Sequence, residues 1–216
     1  MLRITELRLP LDHPEEELRK AVVTRLGVSS ADLLSYSVFR RAWDARKKSA
    51  IKLIYTIDAE VRDEARVRAR LKDDRHVNPA PDTTYKFVAR APERVEKRPV
   101  VIGTGPCGFM CALVLAQMGF RPIVLERGRV VRQRTKDTWG LWRRGVLDPT
   151  SNAQFGEGGA GTFSDGKLHS GISDPRHHGR KVLTEFVKAG APDEILYVAK
   201  PHIGTFRLVT VVENVR

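Results

Sequence analysis

The sequence predicts an α/β chain in two parts, a ferredoxin-like α+β module over residues 1–92 and an incomplete Rossmann-type α/β domain over residues 98–216. Three observations predict it. Strand-like and helix-like runs alternate through the first ninety residues, a polar, proline-bearing stretch follows them, and "PVVIGTGPCGFMCALVLAQMGFRPIVLERG" at 99–128 then reads as strand, glycine turn, helix and strand. At 216 residues with 41% apolar content, the chain is long enough to bury two modest cores.

Residues 2–9 read as the first strand, and "HPEEELRKAVVTRLGV" as a helix with acids in its first turn, Leu18, Val22 and Leu26 on one face, and Gly27 at its end. "LLSYSVFRRAW" and "AIKLIYTIDAEV" are rich in β-branched and aromatic residues and are joined by the polar "DARKKS", which suits a hairpin. "RDEARVRARL" reads as a second helix and "TYKFVAR" as a closing strand. The resulting order, strand, helix, strand, strand, helix, strand, is that of the split βαβ arrangement. The linker is expected near residues 91–98, within "APERVEKRP".

The formal charge of +12 divides evenly between the two parts and forms no basic tail, which does not favour nucleic acid as a partner. A local excess of Arg127, Arg129, Arg132, Arg134, Lys136, Arg143 and Arg144, opposed by Asp137, reads either as a solvated face or as a rim facing an anion. The opening residues mix charged with apolar side chains, so the sequence predicts neither signal peptide nor membrane span, and a cytoplasmic location. Cys107 and Cys111, four apart in one expected helix, read as packing thiols, and no metal site is expected.

Val100, Val101 and Ile102 form a short apolar run, and Gly103, Gly105 and Gly108 follow it with the spacing of a dinucleotide fingerprint. The first glycine permits a tight turn, the second lets backbone approach a pyrophosphate, and the third lets the helix pack closely on the strand. Glu126, at the end of "RPIVLE" and 18 residues after Gly108, stands where a carboxylate accepts from ribose hydroxyls and repels a 2'-phosphate, which disfavours NADP here. FAD and NAD share the adenosine and pyrophosphate that this pattern reads, so it does not separate them. A second stretch, "NAQFGEGGAGTFSDGKLHSG" at 152–171, is either a flexible surface loop or backbone lying against a flat ligand.

Residues 99–128, "SNAQFGEGGAGTFSDGKL", "GAPDEILYVAKPHIGT" and, in the first part, "WDARKKSAIKLIYTIDAEV" resemble the bacterial FAD-dependent oxidoreductases labelled uncharacterised FAD-dependent dehydrogenases. The resemblance covers nearly the whole chain and implies FAD as cofactor, with NAD(P)H as a candidate electron donor. It implies that Gly103, Gly105, Pro106, Gly108 and Glu126 hold the ADP half, with Arg127 near the adenosine. It also implies that Gly158, Gly159, Gly161, Thr162, Ser164 and Lys167 run near the flavin. Phe206 stands where the family pattern has an acid after "HIGT", and relatives are longer, so the chain is expected to be the amino-terminal portion of a longer protein.

No catalytic residue can be named from the sequence. His169 reads as a solvated loop residue, His177 and His178 are adjacent with no further ligand, His202 suits a structural or a substrate role, and Trp139 and Trp142 are spaced as core or adenine-side packing. Because a flavin accepts hydride itself, the lack of an acid/base pair is no objection to oxidoreductase chemistry. Two alternatives remain: an NAD-binding dehydrogenase or sensor using the same fingerprint, and an RNA-binding first module, which Tyr55 alone would supply with a stacking ring.

Overall fold

Alternation of buried and exposed residues creates the first sheet. β1 (Leu2–Pro10) turns Leu2, Ile4 and Leu7 inward, and β3 (Lys52–Val61) turns Leu53, Tyr55, Ile57, Ala59 and Val61 inward, the period of two that a half-covered strand requires. The computed structural model describes residues 1–216. β2 (Leu33–Asp44) pairs antiparallel with β3, and β1 pairs antiparallel with both β3 and a short β4 (Val77–Pro79), giving the spatial order β2-β3-β1-β4. The β1–β3 register slips between Ile4 and Leu7, and Glu6 in that irregularity has φ +57°.

Two helices cover the inner face. α1 (Glu15–Leu26) buries Leu18, Val22 and Leu26 as its spacing predicts, and it ends at Gly27 in the left-handed region (φ +59°) with Arg70 donating to the Leu26 carbonyl. α2 (Glu64–Arg70) is capped by the Asp63 carboxylate, which accepts from the Arg66 amide at 3.0 Å, and buries Val67. Each fully buried Leu or Ile in this core contributes about 1.5–3 kcal/mol.

The closing strand is not "TYKFVAR" but β4, inside the polar stretch "DDRHVNPAPDTT" that precedes it. Tyr85 and Phe87 owe their alternation to an edge-to-face contact at 5.1 Å and to Lys181, which lies over both rings. Contacts divide the chain into a first unit of Met1–Thr83 with Leu196–Lys200 and a second of Thr84–Ile195 with Pro201–Arg216.

In the second unit, β5 (Val100–Ile102) and β6 (Ile123–Leu125) pair in parallel, with α3 (Pro106–Gln117) as the crossover. Most of the apolar content of this two-stranded sheet remains at the surface. The buried core lies elsewhere, among α4 (Val131–Arg144), α5 (His178–Lys188) and α6 (Thr205–Val215), where Val131, Ile203, Leu208, Val209, Val211 and Val212 pack with Ile195. Cys107 and Cys111 are exposed rather than packed. Trp139 and Trp142 are likewise corrected from core to surface: they meet edge to face at 5.5 Å, but Trp142 is 53% exposed. The chain is therefore a mixed α/β protein with one four-stranded antiparallel sheet and one two-stranded parallel sheet. No helix is long and apolar enough to cross a membrane.

Candidate functional site

The turn between β5 and α3 is built on close backbone approach. A Cβ at Gly108 would stand 2.0 Å from the Gly103 carbonyl oxygen, so α3 sits on this turn only because residue 108 has no side chain. At Gly103 (φ +88°) and Gly105 a Cβ would meet nothing within 4 Å, which leaves an open concavity over the turn. Pro106 occupies the first helical turn, and no acid lies there to compete for its free amides.

The glycine-rich stretch closes one side of the turn. Gly159, at φ +66°, would place a Cβ 2.9 Å from Pro106 Cδ and 3.0 Å from Gly105 Cα, and the Gly158 amide donates to the Thr104 carbonyl at 2.9 Å. Only a residue without a side chain fits both the backbone conformation and the gap. Gly103, Gly105, Glu126, Arg127 and Gly159 thereby line one cavity of about 700 Å³, completed by Gln154 and Phe155. Arg127 lies over the Phe155 ring, 5.5 Å from its centroid.

Glu126 is more than a wall of this cavity. Its Oε2 accepts from the Thr104 amide and hydroxyl, both at 2.7 Å, and its Oε1 accepts from the Gly128 amide at 2.8 Å. Burial alone would raise its pKa. The hydrogen bonds from Gly128, Thr104 and the Arg127 backbone outweigh burial and hold the carboxyl below its ordinary value. The residue ties the end of β6 to the turn after β5 and stays ionised while doing so.

Of the residues implied by the resemblance, Pro106, Gly108, Gly158, Gly161, Thr162, Ser164 and Lys167 are not part of this cavity's lining. Thr162 is buried and turns its hydroxyl towards Arg134 (3.4 Å), Ser164 donates to the Gly161 carbonyl at 2.8 Å, and Lys167 is exposed and bridges to His202 through backbone. Gly161 lies in the short 3-10 turn Ala160–Phe163, with open space at its Cβ position. Phe206, at the position of the missing acid, is exposed.

Sequence reasoning missed the clamp that shapes the loop. Arg134, read as part of a solvated face or of a rim facing an anion, is instead 0% exposed and donates to the carbonyls of Asn152 (2.8 Å), Glu157 (2.7 Å) and Ala153 (3.0 Å). Burial lowers its pKa to about 10, against the opposing pull of the Glu126 and Glu157 carboxylates, so it remains charged at neutral pH. Glu157, also buried, accepts from the Val131 amide at 2.6 Å and from Arg216 at 2.9 Å. Its place three residues after Val131, on the buried side of α4, does not single it out in the sequence, because a charged residue on such a helix ordinarily faces water. Nowhere do three or more His, Cys, Asp or Glu side chains gather as a metal site.

Comparison with known proteins adds two similarities. A family model described as "Domain of unknown function (DUF8436)" matches residues 1–60, which hold β1, α1, β2 and most of β3. Over 215 residues the chain is 40% identical to a Clostridium beijerinckii protein described as "Uncharacterized protein". The match takes in all of this chain and 40% of that protein, so the chain spans less than half the length of this relative.

Proposed function

We propose that the second unit binds the ADP half of FAD in a Rossmann-type arrangement, and that the chain belongs to a cytoplasmic flavin-dependent oxidoreductase with a ferredoxin-like first module. The observation carrying this reading is the Gly103–Gly105 turn, open above and pressed from one side by Gly159, beside an ionised Glu126 in a cavity of about 700 Å³. The space that two absent side chains leave is what a pyrophosphate needs, and the first-turn amides of α3 and its dipole would hold the phosphate charge. Glu126 would offer its remaining acceptor capacity to the ribose, and its negative charge disfavours a 2'-phosphate. Arg127 and Phe155 would border the adenosine. Bound FAD would supply hydride transfer at its isoalloxazine ring. The chain's own part is positional, with Arg134 holding residues 152–157 so that Phe155 and Gly159 keep their places.

A second reading, NAD binding by a dehydrogenase or sensor, is favoured by one observation: Ser164 and Lys167 are outside the lining, which is made of groups suited to the half that FAD and NAD share. The test is to mix the purified chain with FAD, desalt it and record the visible spectrum. Retained flavin bands, lost in Gly159→Asp, are the expected outcome. A colourless protein that binds NAD by calorimetry would select the second reading, and one that binds neither would refute both.

A further inference from the structure

The second half of α4 exposes side chains that helices of this kind usually bury. Val131, Arg134 and Thr138 face the interior, whereas Trp139 and Trp142 are exposed together with Lys136, Arg143 and Arg144. Gly145, at φ +68°, then turns the chain, its amide donating to the Leu141 carbonyl at 2.9 Å and the Val146 amide to the Gly140 carbonyl at 3.4 Å. Past that turn Val146 and Leu147 are 61% and 60% exposed. The two indoles meet at 5.5 Å, and Val146 shares a shallow depression with Lys136 and Arg144, so apolar and basic groups form one patch. An exposed apolar patch rimmed by charge marks a surface that meets a partner.

The charge of the patch is positive and uncompensated. Its two acids are already engaged: Asp137 takes Arg129 at 3.1 Å and the Ser151 hydroxyl at 2.6 Å, and Asp148 takes Arg129 at 3.4 Å and the Thr150 hydroxyl at 2.9 Å. Arg132, further back on α4, is paired with Glu213 at 2.6 Å. Lys136, Arg143 and Arg144 are left without an ion pair, and the Arg143 guanidinium lies over the Trp139 ring, 4.5 Å from its centroid.

We propose that this end of α4 docks on the surface of an anionic lipid bilayer, with Val146, Leu147 and the two indoles at headgroup depth and Lys136, Arg143 and Arg144 against lipid phosphates. An indole, apolar with one polar edge, is suited to the boundary between water and lipid. Each cation beside an anionic leaflet strengthens binding about fivefold. The amides of Gly145 and Val146 are already bonded, so the tip enters the interface without stranding them. A nucleic acid would use the rings as stacking platforms, but the indoles stand at 86° to one another, Trp142 is edge-on to Phe163, and Arg143 covers one face of Trp139. Val146 and Leu147 offer a base nothing to stack on, whereas a bilayer buries them. The contact needs no spanning helix and does not depend on the dinucleotide reading.

The experiment is co-sedimentation of the whole chain with vesicles of phosphatidylcholine and of phosphatidylcholine mixed with phosphatidylglycerol. Indole emission is read alongside in a Trp43→Phe background, which leaves Trp139 and Trp142 as the reporters. Binding to the mixed vesicles at least about tenfold tighter than to the neutral ones is expected, weakening as salt rises, with emission moving to shorter wavelength. Arg143→Gln with Arg144→Gln should weaken it about twentyfold, whereas Arg66→Gln with Arg68→Gln, which removes as much charge from α2, should change it by less than about twofold. Leu147→Asp, at an exposed position, should weaken binding and cancel the emission shift while helix content stays the same. No binding to the mixed vesicles, equal weakening by the two arginine pairs, or an emission shift untouched by Leu147→Asp would each overturn the proposal. Tighter binding to a single-stranded RNA oligomer than to the vesicles would overturn it too, in favour of nucleic acid.

Discussion

The two sheets are made from similar sequence and have opposite surroundings. In the first unit, Leu2, Ile4, Ile57 and Ala59 are all 0% exposed, because α1 and α2 cover the face on which they stand. In the second, β5 and β6 are at least as apolar, yet only Val101 is buried and Ile102 is 84% exposed. An apolar strand thus has no fixed contribution to stability: burial stabilises by about 25 cal/mol per Å² removed from water, and the β5–β6 residues remove little. What holds the second unit is the helical cluster and a set of charged side chains bonded to backbone, Arg134, Glu157 and Glu126.

That contrast predicts opposite sensitivities. Arg134→Met strands three carbonyls, those of Asn152, Ala153 and Glu157, in a buried place. Relief of the guanidinium's own desolvation offsets part of the cost, leaving a loss of roughly 3–5 kcal/mol. Ile57→Ala opens a cavity in the first core for about 2–5 kcal/mol. Amide hydrogen exchange reads the two units separately. Arg134→Met should release the amides of 128–163 more than those of β1 and β3, and Ile57→Ala the reverse. Equal loss in both units from either variant would break the contrast.

Legibility in the sequence follows the same division. α1 and β3 could be read because their periodicity is the direct imprint of one covered face, and β2 because it is rich in β-branched and aromatic residues. β4 could not: three residues, one of them proline, pair with a single neighbour, and no pattern of two emerges from so short a run. In the second unit the glycine spacing announced the turn, and Gly108 has the close contact that its place in the pattern requires. Arg134 and Thr104 were not legible. A charged residue on an amphipathic helix ordinarily faces water, and only the three carbonyls that gather around it, 18 to 23 residues away, make it an interior one. Glu126 was read as facing a ligand; its bonds to Thr104 and Gly128 are made by backbone that the spacing rule ignores.

A smaller change sharpens the comparison at the turn. Gly108→Ala puts a methyl group 2.0 Å from the Gly103 oxygen, so α3 must shift, at a cost of about 1–3 kcal/mol for overpacking. The first unit should keep its exchange pattern, while FAD retention after desalting falls. Unchanged retention would mean that the α3 position does not govern the cavity.

The smallest effect expected is in acid. Glu126 and Glu185, partly buried in the second unit, have carboxyls held below their ordinary pKa values, and Asp148, Asp174 and Glu213 are lowered too but at the surface, where water and salt weaken the effect. Glu185 shows the balance: burial raises it, and donors from Lys181, Lys188 and Gln117 bring it down further than burial lifts it. In the first unit Asp44 is lowered chiefly by its hydrogen bond from Arg46, but that pair is at the surface, where water and salt weaken it. A depressed carboxyl is ionised in the folded chain at pH values where the unfolded chain has begun to take up protons. Its stabilisation is therefore complete above the unfolded value, 4.5 for a glutamate, and is lost as pH falls through the lower folded value. Between about pH 5 and 3 the second unit should lose exchange protection before the first, and Glu126→Gln should shallow that decline. Loss of protection in the first unit ahead of the second would show that apolar burial, rather than the carboxylate network, sets the order of acid unfolding.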